Sequence, residues 1–344
     1  MKTLCIHGPD DIRLDDRPEP VAGARDVVVR TRACGICGTD VIAVRAGSRR
    51  VNGEPQPLGH EVAGVVASVG SAVSDVRRGM RVVVNPMAKV VEHGAPASEV
   101  IGCGGTEGAF GRDFLVRNAR LGEDLLELPD KVPFEHASLA DPLGVAAHAI
   151  ARGNAKPGDR VVVFGAGPIG LAAVVWLRRK SITDIVSIDL HDGRLTRARA
   201  LGATATINAK REDVRARLAE LHGGSTFMGV PVVGTDLFIE LAGGAGVIQQ
   251  IIDICRPEAR AVVVAVHHGL EPINFEMMLI KELTISSAIG YPTELPEVVA
   301  ALPELSRQLD TIISHRFSFD RIIEAFSVAG TNESSKVLVT FSAD

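Results

Sequence analysis

The stretch RVVVFGAGPIG at residues 160–170 predicts a strand, a tight turn and the first turn of a helix. Residues 160–164 are apolar after Arg160, and such a short apolar run is typical of a strand buried on both faces of a parallel sheet. Gly165, Gly167 and Gly170 then follow in a G-x-G-x-x-G pattern, which suits a close strand-to-helix connection. The stretch therefore predicts the first strand and helix of a doubly wound α/β domain.

The segments after this stretch alternate in character between helix and strand. Such alternation is typical of a parallel sheet with helical crossovers. The predicted helices are 169–179, 194–201, 214–221 and 247–255, and the predicted strands are 184–188, 205–207, 235–240 and 261–266. The fold class is thus predicted to be α/β, with a doubly wound parallel sheet in this half of the chain.

The N-terminal part of the chain has a different pattern. Short β-branched runs at 26–32, 61–69 and 80–84 are separated by Gly, Pro and Ser, with no helical period between them. They predict a β-rich domain, arranged as a distorted barrel. A last strand is predicted at 336–341, and we expect it to pair with this β-rich part because a closing strand must find a partner.

The composition excludes several classes of partner. The chain has 344 residues, enough for two domains, and its 37 basic and 42 acidic residues form no long run of one sign. Nucleic acid and membrane surfaces are therefore not expected as partners. No run approaches the roughly 18 apolar residues of a membrane helix, and residues 1–9 contain no signal-peptide core. The five cysteines are an odd number and do not form a disulfide framework, which favours metal or catalytic roles in a reducing compartment. We therefore expect a cytoplasmic protein.

The glycine-rich turn predicts a dinucleotide-binding site. In such a turn Gly165 makes the bend, Gly167 lets the backbone approach a pyrophosphate, and Gly170 lets helix and strand pack closely. Pro168 and Ile169 open the helix, whose unpaired N–H groups and dipole would hold the phosphates. The alternative is that the glycines only tighten the connection.

The residue that ends the next strand, Asp189, predicts which dinucleotide binds. A carboxylate there would accept hydrogen bonds from the adenosine ribose and would face a 2′-phosphate unfavourably, so NAD is predicted rather than NADP. Asp189 could instead only cap the following helix. Arg194, Arg197 and Arg199 follow closely, and one of them could turn toward a 2′-phosphate. Of the three, Arg194 is the candidate for a cofactor-binding residue.

Two short motifs in the β-rich part predict a metal site. The first contains Cys34 and Cys37, and the second contains His60 and Glu61. Cys37, His60 and Glu61 would offer zinc a thiolate, an imidazole and a carboxylate, and a catalytic zinc site keeps one further position open. The C-x-x-C pair could instead be a redox pair or half of a structural zinc knuckle, although no second pair follows. Cys34 is expected to be a small buried residue.

These motifs resemble those of the zinc-dependent medium-chain dehydrogenase/reductase family. The likeness rests on residues 35–40, 59–61, 165–170 and 335–337, and it spans nearly the whole chain. It is closest to the polyol branch, which includes sorbitol, L-idonate and butanediol dehydrogenases. The resemblance implies a GroES-like β-rich catalytic domain that is interrupted by a Rossmann coenzyme domain.

The same resemblance implies where the domains divide. The GroES-like catalytic domain would comprise residues 1–144 and 290–344, and the Rossmann dinucleotide-binding domain would comprise residues 145–289. This arrangement would explain why the last strand returns to the first part of the chain.

The resemblance also implies roles for five residues. Cys37 and His60 match the family's zinc ligands, and Glu61 matches a carboxylate that binds zinc directly or exchanges with water. Asp141 falls where the polyol branch usually has Glu, so it would be the third ligand or hold a zinc-bound water. As an Asp before Pro, it could equally be the N-cap of the following helix. Thr39 matches the hydroxyl that passes the substrate proton to the nicotinamide ribose, which makes Cys37, Thr39, His60 and Glu61 the catalytic candidates.

Three more residues are implied to lie near the nicotinamide. Val266, Ala288 and Ile289 match segments that approach this ring mainly through main-chain groups. His267 and His268 follow the predicted strand and are expected to be loop residues rather than ligands.

The chain departs from the family pattern at three places, and one residue that fits the pattern, Phe110, has two possible roles. Ile42 stands where members commonly have the outer His of the proton relay, and Arg112 replaces a usual Glu, which leaves its role open. Many members bind a second, structural zinc with four cysteines, but residues 86–105 contain only Cys103. We therefore expect one catalytic zinc and no structural zinc. Phe110 is either an apolar wall of the substrate pocket or a core aromatic.

Taken together, the residues and the resemblance predict a zinc- and NAD-dependent enzyme that oxidises a secondary alcohol or polyol to a ketone, reversibly. One alternative is a metal-free quinone or enone reductase of the same superfamily. Another is a non-catalytic dinucleotide-binding protein. Because related enzymes are dimers or tetramers, a homodimer or homotetramer is expected.

Overall fold

A computed structural model describes residues 1–47, 53–88, 100–267 and 269–342 of the chain. The chain divides into two compact units. One unit comprises Met1–Asp141 and Pro292–Asp344, and the other comprises Pro142–Tyr291. Within the four described ranges, no helix is long and apolar enough to cross a membrane.

The strands are numbered in chain order. They are β1 (Lys2–Gly8), β2 (Asp11–Asp16), β3 (Val27–Ile36), β4 (Gln56–Pro57), β5 (Glu61–Val69), β6 (Arg81–Val84), β7 (Asp113–Val116), β8 (Leu125–Glu127), β9 (Arg160–Phe164), β10 (Asp184–Asp189), β11 (Ala205–Asn208), β12 (Gly224–Phe227), β13 (Val230–Val233), β14 (Leu237–Glu240), β15 (Arg260–Val263), β16 (Thr284–Ser287), β17 (Ile313–Ser318) and β18 (Lys336–Thr340).

The helices are numbered in the same way. They are α1 (Gly38–Ala46), α2 (Phe134–Ala137), α3 (Ala140–Arg152), α4 (Pro168–Arg179), α5 (Asp192–Ala200), α6 (Val214–His222), α7 (Val247–Ile254), α8 (Phe275–Ile280), α9 (Leu295–Ala301), α10 (Ser306–Ile312) and α11 (Ile322–Ala329). Short 3₁₀ helices lie at Leu302–Leu305 and Phe319–Arg321.

The first unit is built on β-sheets, as the N-terminal pattern predicts. A seven-stranded sheet has the order β17-β18-β3-β5-β6-β8, with β7 paired to β3, and a smaller sheet has the order β2-β1-β4. Apolar side chains from both sheets and from α11 share one core, which includes Leu4, Val29, Phe114, Phe326 and Val339. The prediction that the closing strand returns to the first part is confirmed, because β18 pairs antiparallel with β3.

The second unit contains the predicted parallel sheet. Its six strands have the order β11-β10-β9-β14-β15-β16, and every neighbouring pair is parallel. Helices α4 to α7 alternate with these strands along the chain, and the core includes Val162, Ile188, Phe238 and Ile252. The prediction of a doubly wound α/β domain is confirmed, and the switch from β10 to β14 on either side of β9 is where such sheets bind ligands.

Two local features differ from the sequence-based expectations. A hairpin of β12 and β13 lies where no element is predicted, and its turn residues Met228 and Gly229 both take positive φ. Such a turn suits a tight hairpin, but β12 is exposed and polar, so it lacks the apolar alternation that marks a strand. Asp141 is not the N-cap of the helix, because α3 begins one residue earlier, at Ala140.

Candidate active site

The first part of the site is the junction between β3 and α1. Cys37 precedes the helix in an extended conformation, and its backbone N–H donates to Asp40 Oδ2 at 2.9 Å. A carboxylate three residues into a helix that accepts from the preceding residue stabilises the helix start. Thr39 lies in the first turn of α1 and is exposed. The junction therefore fixes the backbone of Cys37 and leaves the Thr39 hydroxyl accessible.

The second part of the site is the start of β5. This strand pairs antiparallel with β3, with Gly35 opposite Glu61, so the end of one strand lies beside the beginning of the other. Cys37, His60 and Glu61 each offer one possible ligand atom, and these three atoms all lie within 4.8 Å of one another. The two motifs, far apart in the sequence, thus meet through strand pairing.

Two glycines make this approach possible. A Cβ on Gly35 would lie 2.1 Å from Glu61 Oε2, so a larger residue would displace the carboxylate. Gly59 has a φ of +97°, and a Cβ there would lie 2.7 Å from the backbone N of Phe110. A side chain at either position would therefore disturb the group of three.

Two residues outside the group of three, Asp40 and Cys103, contact the imidazole of His60. Its Nδ1 lies 3.4 Å from Asp40 Oδ1 and 3.4 Å from Cys103 Sγ. Burial alone would lower the pKa of His60, but Cys103 and Asp40 together raise the pKa well above its ordinary value. Asp40 Oδ1 is buried and has no other hydrogen-bond partner within the described ranges, which makes the carboxylate an orienting group for the ring.

Cys103 is a site neighbour that sequence reasoning missed. The sequence associates it with a cysteine-rich lobe that this chain lacks, whereas the structure gives an isolated bridge between Leu58 and Cys103. Gly102 takes a φ of +71°, and a Cβ there would lie 2.2 Å from Gly59 O. This close backbone approach sets the Cys103 sulfur beside His60, and no local spacing in the sequence signals it.

Glu61 forms a buried ion pair with Lys336. The Lys336 Nζ lies 2.6 and 2.5 Å from the two carboxylate oxygens and also donates to Ile36 O at 3.1 Å. Both side chains are 2% exposed. Burial alone would lower the pKa of Lys336, but Glu61 and Cys37 more than offset this and raise it. The residue that pairs with the candidate carboxylate thus comes from the last strand of the chain.

The remaining candidates of the first unit lie around this centre. Asp141 lies in the first turn of α3, partly buried, and its charge helps to raise the pKa of Lys336. It is not one of the three ligand-bearing residues that the described part of the chain brings together. Ile42 is partly buried on α1, and Cys34 is fully buried, as expected, which raises the pKa of its thiol well above the usual range.

Arg112 and Phe110, both within residues 108–114, have structural roles that the sequence left open. Arg112 pairs with Asp113 at 2.9 Å and with Glu19 at 2.5 Å. It therefore belongs to an ion-pair group near the surface. Phe110 is fully buried and packs edge to face on Phe326, with ring centroids 5.5 Å apart. It is a core aromatic, and not a wall of a substrate pocket.

The donors of the group fit a zinc ion. Sulfur, nitrogen and carboxylate oxygen are the ligand atoms that zinc takes in proteins, and three protein ligands leave one position of a tetrahedral site open. Burial raises the pKa of the Cys37 thiol, with the Glu61 carboxylate adding to the effect, so the thiolate needs a neighbouring cation. A divalent ion among Cys37, His60 and Glu61 would supply that charge.

The second unit carries a cleft of about 240 Å³ at the carboxyl ends of its strands. Gly165 has a φ of +93°, and a Cβ there would lie 2.8 Å from Leu241 O. A Cβ on Gly170 would lie 1.9 Å from Gly165 O, whereas one on Gly167 would have nothing within 4 Å. Gly165 and Gly170 are therefore required by the protein's own packing, and Gly167 borders open space. Pro168 and Ile169 begin α4, with Gly167 as the N-cap.

Asp189 connects the glycine-rich turn to the next element. Its Oδ2 accepts from Ala166 N at 2.8 Å, and its Oδ1 accepts from Leu190 N and His191 N at 2.7 and 2.9 Å. His191 Nδ1 also lies 3.1 Å from Oδ1. Asp189, His191 and Arg194 all line the cleft. The carboxylate thus shapes the turn and faces the same space that a dinucleotide would enter.

The residues implied to lie near a nicotinamide have different environments. Val266 and Ile289 are exposed, whereas Ala288 is buried and its N–H donates to Val263 O at 3.1 Å. His267 is a loop residue, as expected, and its Nε2 lies 3.0 Å from Glu240 Oε2. His268 lies outside the described residues.

The class of protein follows from two sites on two different folds: a sulfur, nitrogen and oxygen donor group in a β-rich unit, and a dinucleotide-type turn in a parallel-sheet unit. Comparisons with known proteins agree. Residues 23–130 match the family described as alcohol dehydrogenase GroES-like domain, and residues 168–304 match the family described as zinc-binding dehydrogenase. The chain belongs to the zinc-dependent medium-chain dehydrogenase/reductase family, so the resemblance inferred from its motifs is confirmed.

Its relatives include polyol and diol dehydrogenases. (R,R)-butanediol dehydrogenase of Bacillus subtilis is 31% identical over 98% of this chain and 99% of its own length. Sorbitol dehydrogenase of Mus musculus is 29% identical, over 98% of this chain and 95% of its own length. The crystal structure of an Escherichia coli CFT073 protein described as a short chain alcohol dehydrogenase, complexed with cofactor NADH, is 26% identical. Its TM-score is 0.85, over 99% of each chain.

Proposed function

We propose that this protein is a zinc- and NAD-dependent dehydrogenase that oxidises a secondary alcohol or polyol to a ketone, reversibly. The observation that carries the proposal is the group of Cys37, His60 and Glu61, whose ligand atoms lie within 4.8 Å of one another in a member of this family. The butanediol and sorbitol dehydrogenases among the relatives support a substrate with neighbouring hydroxyl groups.

Cys37, His60 and Glu61 would hold the metal. When bound, zinc would act as a Lewis acid on the alcohol oxygen, and NAD would accept the hydride. Asp40 and Cys103 would orient His60 through its Nδ1. Asp141 is the alternative third ligand, because Lys336 contacts both oxygens of Glu61.

The released proton needs an acceptor on the protein. Thr39 is exposed and lies two residues after Cys37, and we propose that its hydroxyl receives the proton of the substrate. Ile42 has no group that could pass this proton on. The next acceptor would therefore be the cofactor ribose or water, rather than a histidine on α1.

The cofactor would lie in the cleft of the second unit. The turn at Gly165, Gly167 and Gly170 and the N-terminus of α4 at Pro168 and Ile169 would hold the pyrophosphate. Asp189 would bind the adenosine ribose and disfavour a 2′-phosphate, whereas Arg194 in the same cleft would favour one. We propose NAD, because the Asp189 carboxylate anchors the turn and lines the cleft, where it would face a 2′-phosphate. A higher kcat/KM with NADP than with NAD would contradict this choice.

Domain roles and assembly complete the proposal. The unit Met1–Asp141 with Pro292–Asp344 would be the catalytic domain, and Pro142–Tyr291 the coenzyme domain, with Val266, Ala288 and Ile289 near the nicotinamide. A homodimer or homotetramer is proposed because β16 lies at an edge of the parallel sheet and Phe275 and Leu279 are exposed. Light scattering on the purified protein tests this directly. The free cysteines favour a cytoplasmic location.

The central experiment combines metal analysis with Cys37→Ser. The wild-type protein should bind one zinc per chain and reduce NAD with polyols, diols or other secondary alcohols. The variant should lose zinc and turnover together while still binding NADH. Cys5 is a buried cysteine outside the group of three, so the control variant Cys5→Ser should keep both zinc and turnover. Activity that survives in zinc-free protein would favour a metal-free reductase. NADH binding without turnover on any alcohol would favour a non-catalytic protein.

A further inference from the structure

A buried polar network lies at the carboxyl ends of β14 and β15 and includes none of the metal-binding candidates. It consists of Glu240, the last residue of β14, and of His267 and Glu271, which follow β15. Ligands of doubly wound sheets bind at this edge. All three residues belong to the unit Pro142–Tyr291.

Glu240 is the centre of this network. It is fully buried, and its Oε1 accepts from Ala242 N and Gly243 N, each at 2.8 Å. Its Oε2 lies 3.0 Å from His267 Nε2. A buried carboxylate is tolerated only where hydrogen-bond donors compensate it, so His267 Nε2 carries the hydrogen and donates to Glu240.

Glu271 extends the network on the other side of the His267 ring. Its Oε2 accepts from Gly246 N at 3.0 Å, and its Oε1 lies 3.6 Å from His267 Nδ1. His267 Nδ1 is buried and has no hydrogen-bond partner within the described ranges. The imidazole therefore lies between two carboxylates, and those carboxylates hold three backbone N–H groups of the 241–246 loop.

The 241–246 loop forms one wall of the cofactor cleft. Leu241, Ala242 and Gly244 line the cleft together with Gly165 and Gly167. The backbone of Leu241 and Ala242 lies against Gly165, where a Cβ would come within 2.8 to 2.9 Å of it. Gly243 takes a φ of +63°, and a Cβ there would lie 3.3 Å from Ala265 Cβ and Val266 O. The loop is thus confined between the glycine-rich turn and the segment after β15.

We infer that Glu240, His267 and Glu271 are positioning residues for the cofactor, which hold the 241–246 loop in the shape that the dinucleotide requires. The inference rests on the proposed NAD-dependent function. In this role His267 acts through the loop, and no contact with the reacting atoms is assigned to it. A network that only stabilised the fold would leave cofactor affinity unchanged once the protein is folded.

Variants of His267 test this inference. His267→Leu removes the donor to Glu240, and His267→Gln retains an N–H donor in the same region. We expect the Leu variant to raise the Kd for NADH and the KM for NAD by about tenfold, the effect of one lost buried hydrogen bond. The KM for the alcohol at saturating NAD and the kcat should change less than about threefold, since the metal-binding candidates lie in the other unit. The Gln variant should recover most of the affinity.

A second variant keeps the test decisive if His267→Leu does not fold. Glu271→Ala removes the acceptor of the Gly246 N–H at a side chain that is 20% exposed, and it should weaken NADH binding about tenfold without a large fall in Tm. Variants that melt earlier but bind NADH with the wild-type Kd would overturn the inference, as would a lower kcat with unchanged cofactor affinity. A wild-type protein that fails to bind NADH would instead refute the proposed function itself, so the two failures are distinguishable.

Discussion

Lys336 Nζ lies within 2.6 Å of both carboxylate oxygens of Glu61, although the two residues are 275 positions apart in the chain. The contact exists because β3 pairs with β5 on one side and with β18 on the other. Both side chains are removed from water, so each charge depends on the other. A metal bound by Glu61 would therefore compete with this ammonium group for the carboxylate oxygens.

Replacing Lys336 with Met should destabilise the zinc-free protein more than the zinc-loaded protein. Without zinc, the variant leaves the Glu61 carboxylate buried and unpaired, which costs about 3–5 kcal/mol. With zinc, the cation would compensate the carboxylate in place of the lysine. Urea unfolding of both forms, with and without zinc, measures the difference in the free energy of unfolding.

Two further variants control this experiment. Lys336→Arg keeps the positive charge and should lose much less stability. The double variant Lys336→Met with Glu61→Gln removes both charges, and it should recover part of the stability that the single variant loses. Equal stability of Lys336→Met and wild type without zinc would show that Glu61 does not depend on Lys336.

The glycine-rich turn allows a matched pair of substitutions. Gly170→Ala would bring a Cβ to 1.9 Å from Gly165 O, so the second unit should lose several kcal/mol of stability or fail to fold. Gly167→Ala meets nothing within 4 Å, so its Tm should stay within a few degrees of wild type. Gly167→Ala should nevertheless bind NADH about tenfold more weakly than wild type, because the pyrophosphate is proposed to approach Gly167. Calorimetry and NADH titration separate the two effects, and unchanged NADH affinity of Gly167→Ala would contradict the predicted role of this glycine.

The fold was predictable where the pattern is local. The run at β9, the glycine-rich turn and the alternation of β10 to α7 each lie within a short window, so apolar periodicity and turn chemistry suffice to predict them. The hairpin of β12 and β13 was not predicted, because β12 is exposed and polar. Its turn uses Met228 in a left-handed conformation, where Asn or Gly is the usual choice.

The site was predictable for the residues within motifs and not for those that meet through tertiary structure. Cys37, His60 and Glu61 stand beside glycines that mark close backbone approach. Lys336 lies in the quoted stretch 335–337, which gave it no role, and Cys103 lies in no motif; both reach the same centre through the pairing of β18 with β3 and the bridge to Leu58. Contacts of this range depend on strand register, which no single stretch of sequence encodes.

Asp236 should contribute to stability in a pH-dependent way. Burial alone would raise the pKa of Asp236, but hydrogen bonds from Arg160 and Arg256 lower it to about 2, below the ordinary value of 3.8. A depressed folded pKa stabilises the protein above the unfolded pKa, and this contribution is lost as the pH falls from about 4 to 2. Because both arginines are about one third exposed, we expect about 1–2 kcal/mol.

Asp236→Asn tests this contribution. The variant should be less stable than wild type at pH 6, and the two proteins should become more alike as the pH falls toward 3. Urea unfolding monitored by the fluorescence of Trp176, which is buried in the same unit, gives the free energies. The wild type and the variant differing by the same amount at both pH values would contradict the assignment.

Zinc affinity should rise with pH, because the metal must displace protons from its ligands. Burial, with Glu61, raises the pKa of Cys37, and Cys103 and Asp40 raise the pKa of His60 against the effect of burial, so the metal-free site holds protons at neutral pH. Each displaced proton should make the apparent Kd for zinc about tenfold lower per pH unit until that ligand is deprotonated. Competition with a chelator between pH 6 and 8.5 measures the slope. Cys103→Ala removes one of the groups that raise the pKa of His60. In this variant the apparent Kd for zinc should therefore change less steeply with pH at the lower pH values. An apparent Kd that does not change with pH in the wild type would show that the ligands are already deprotonated.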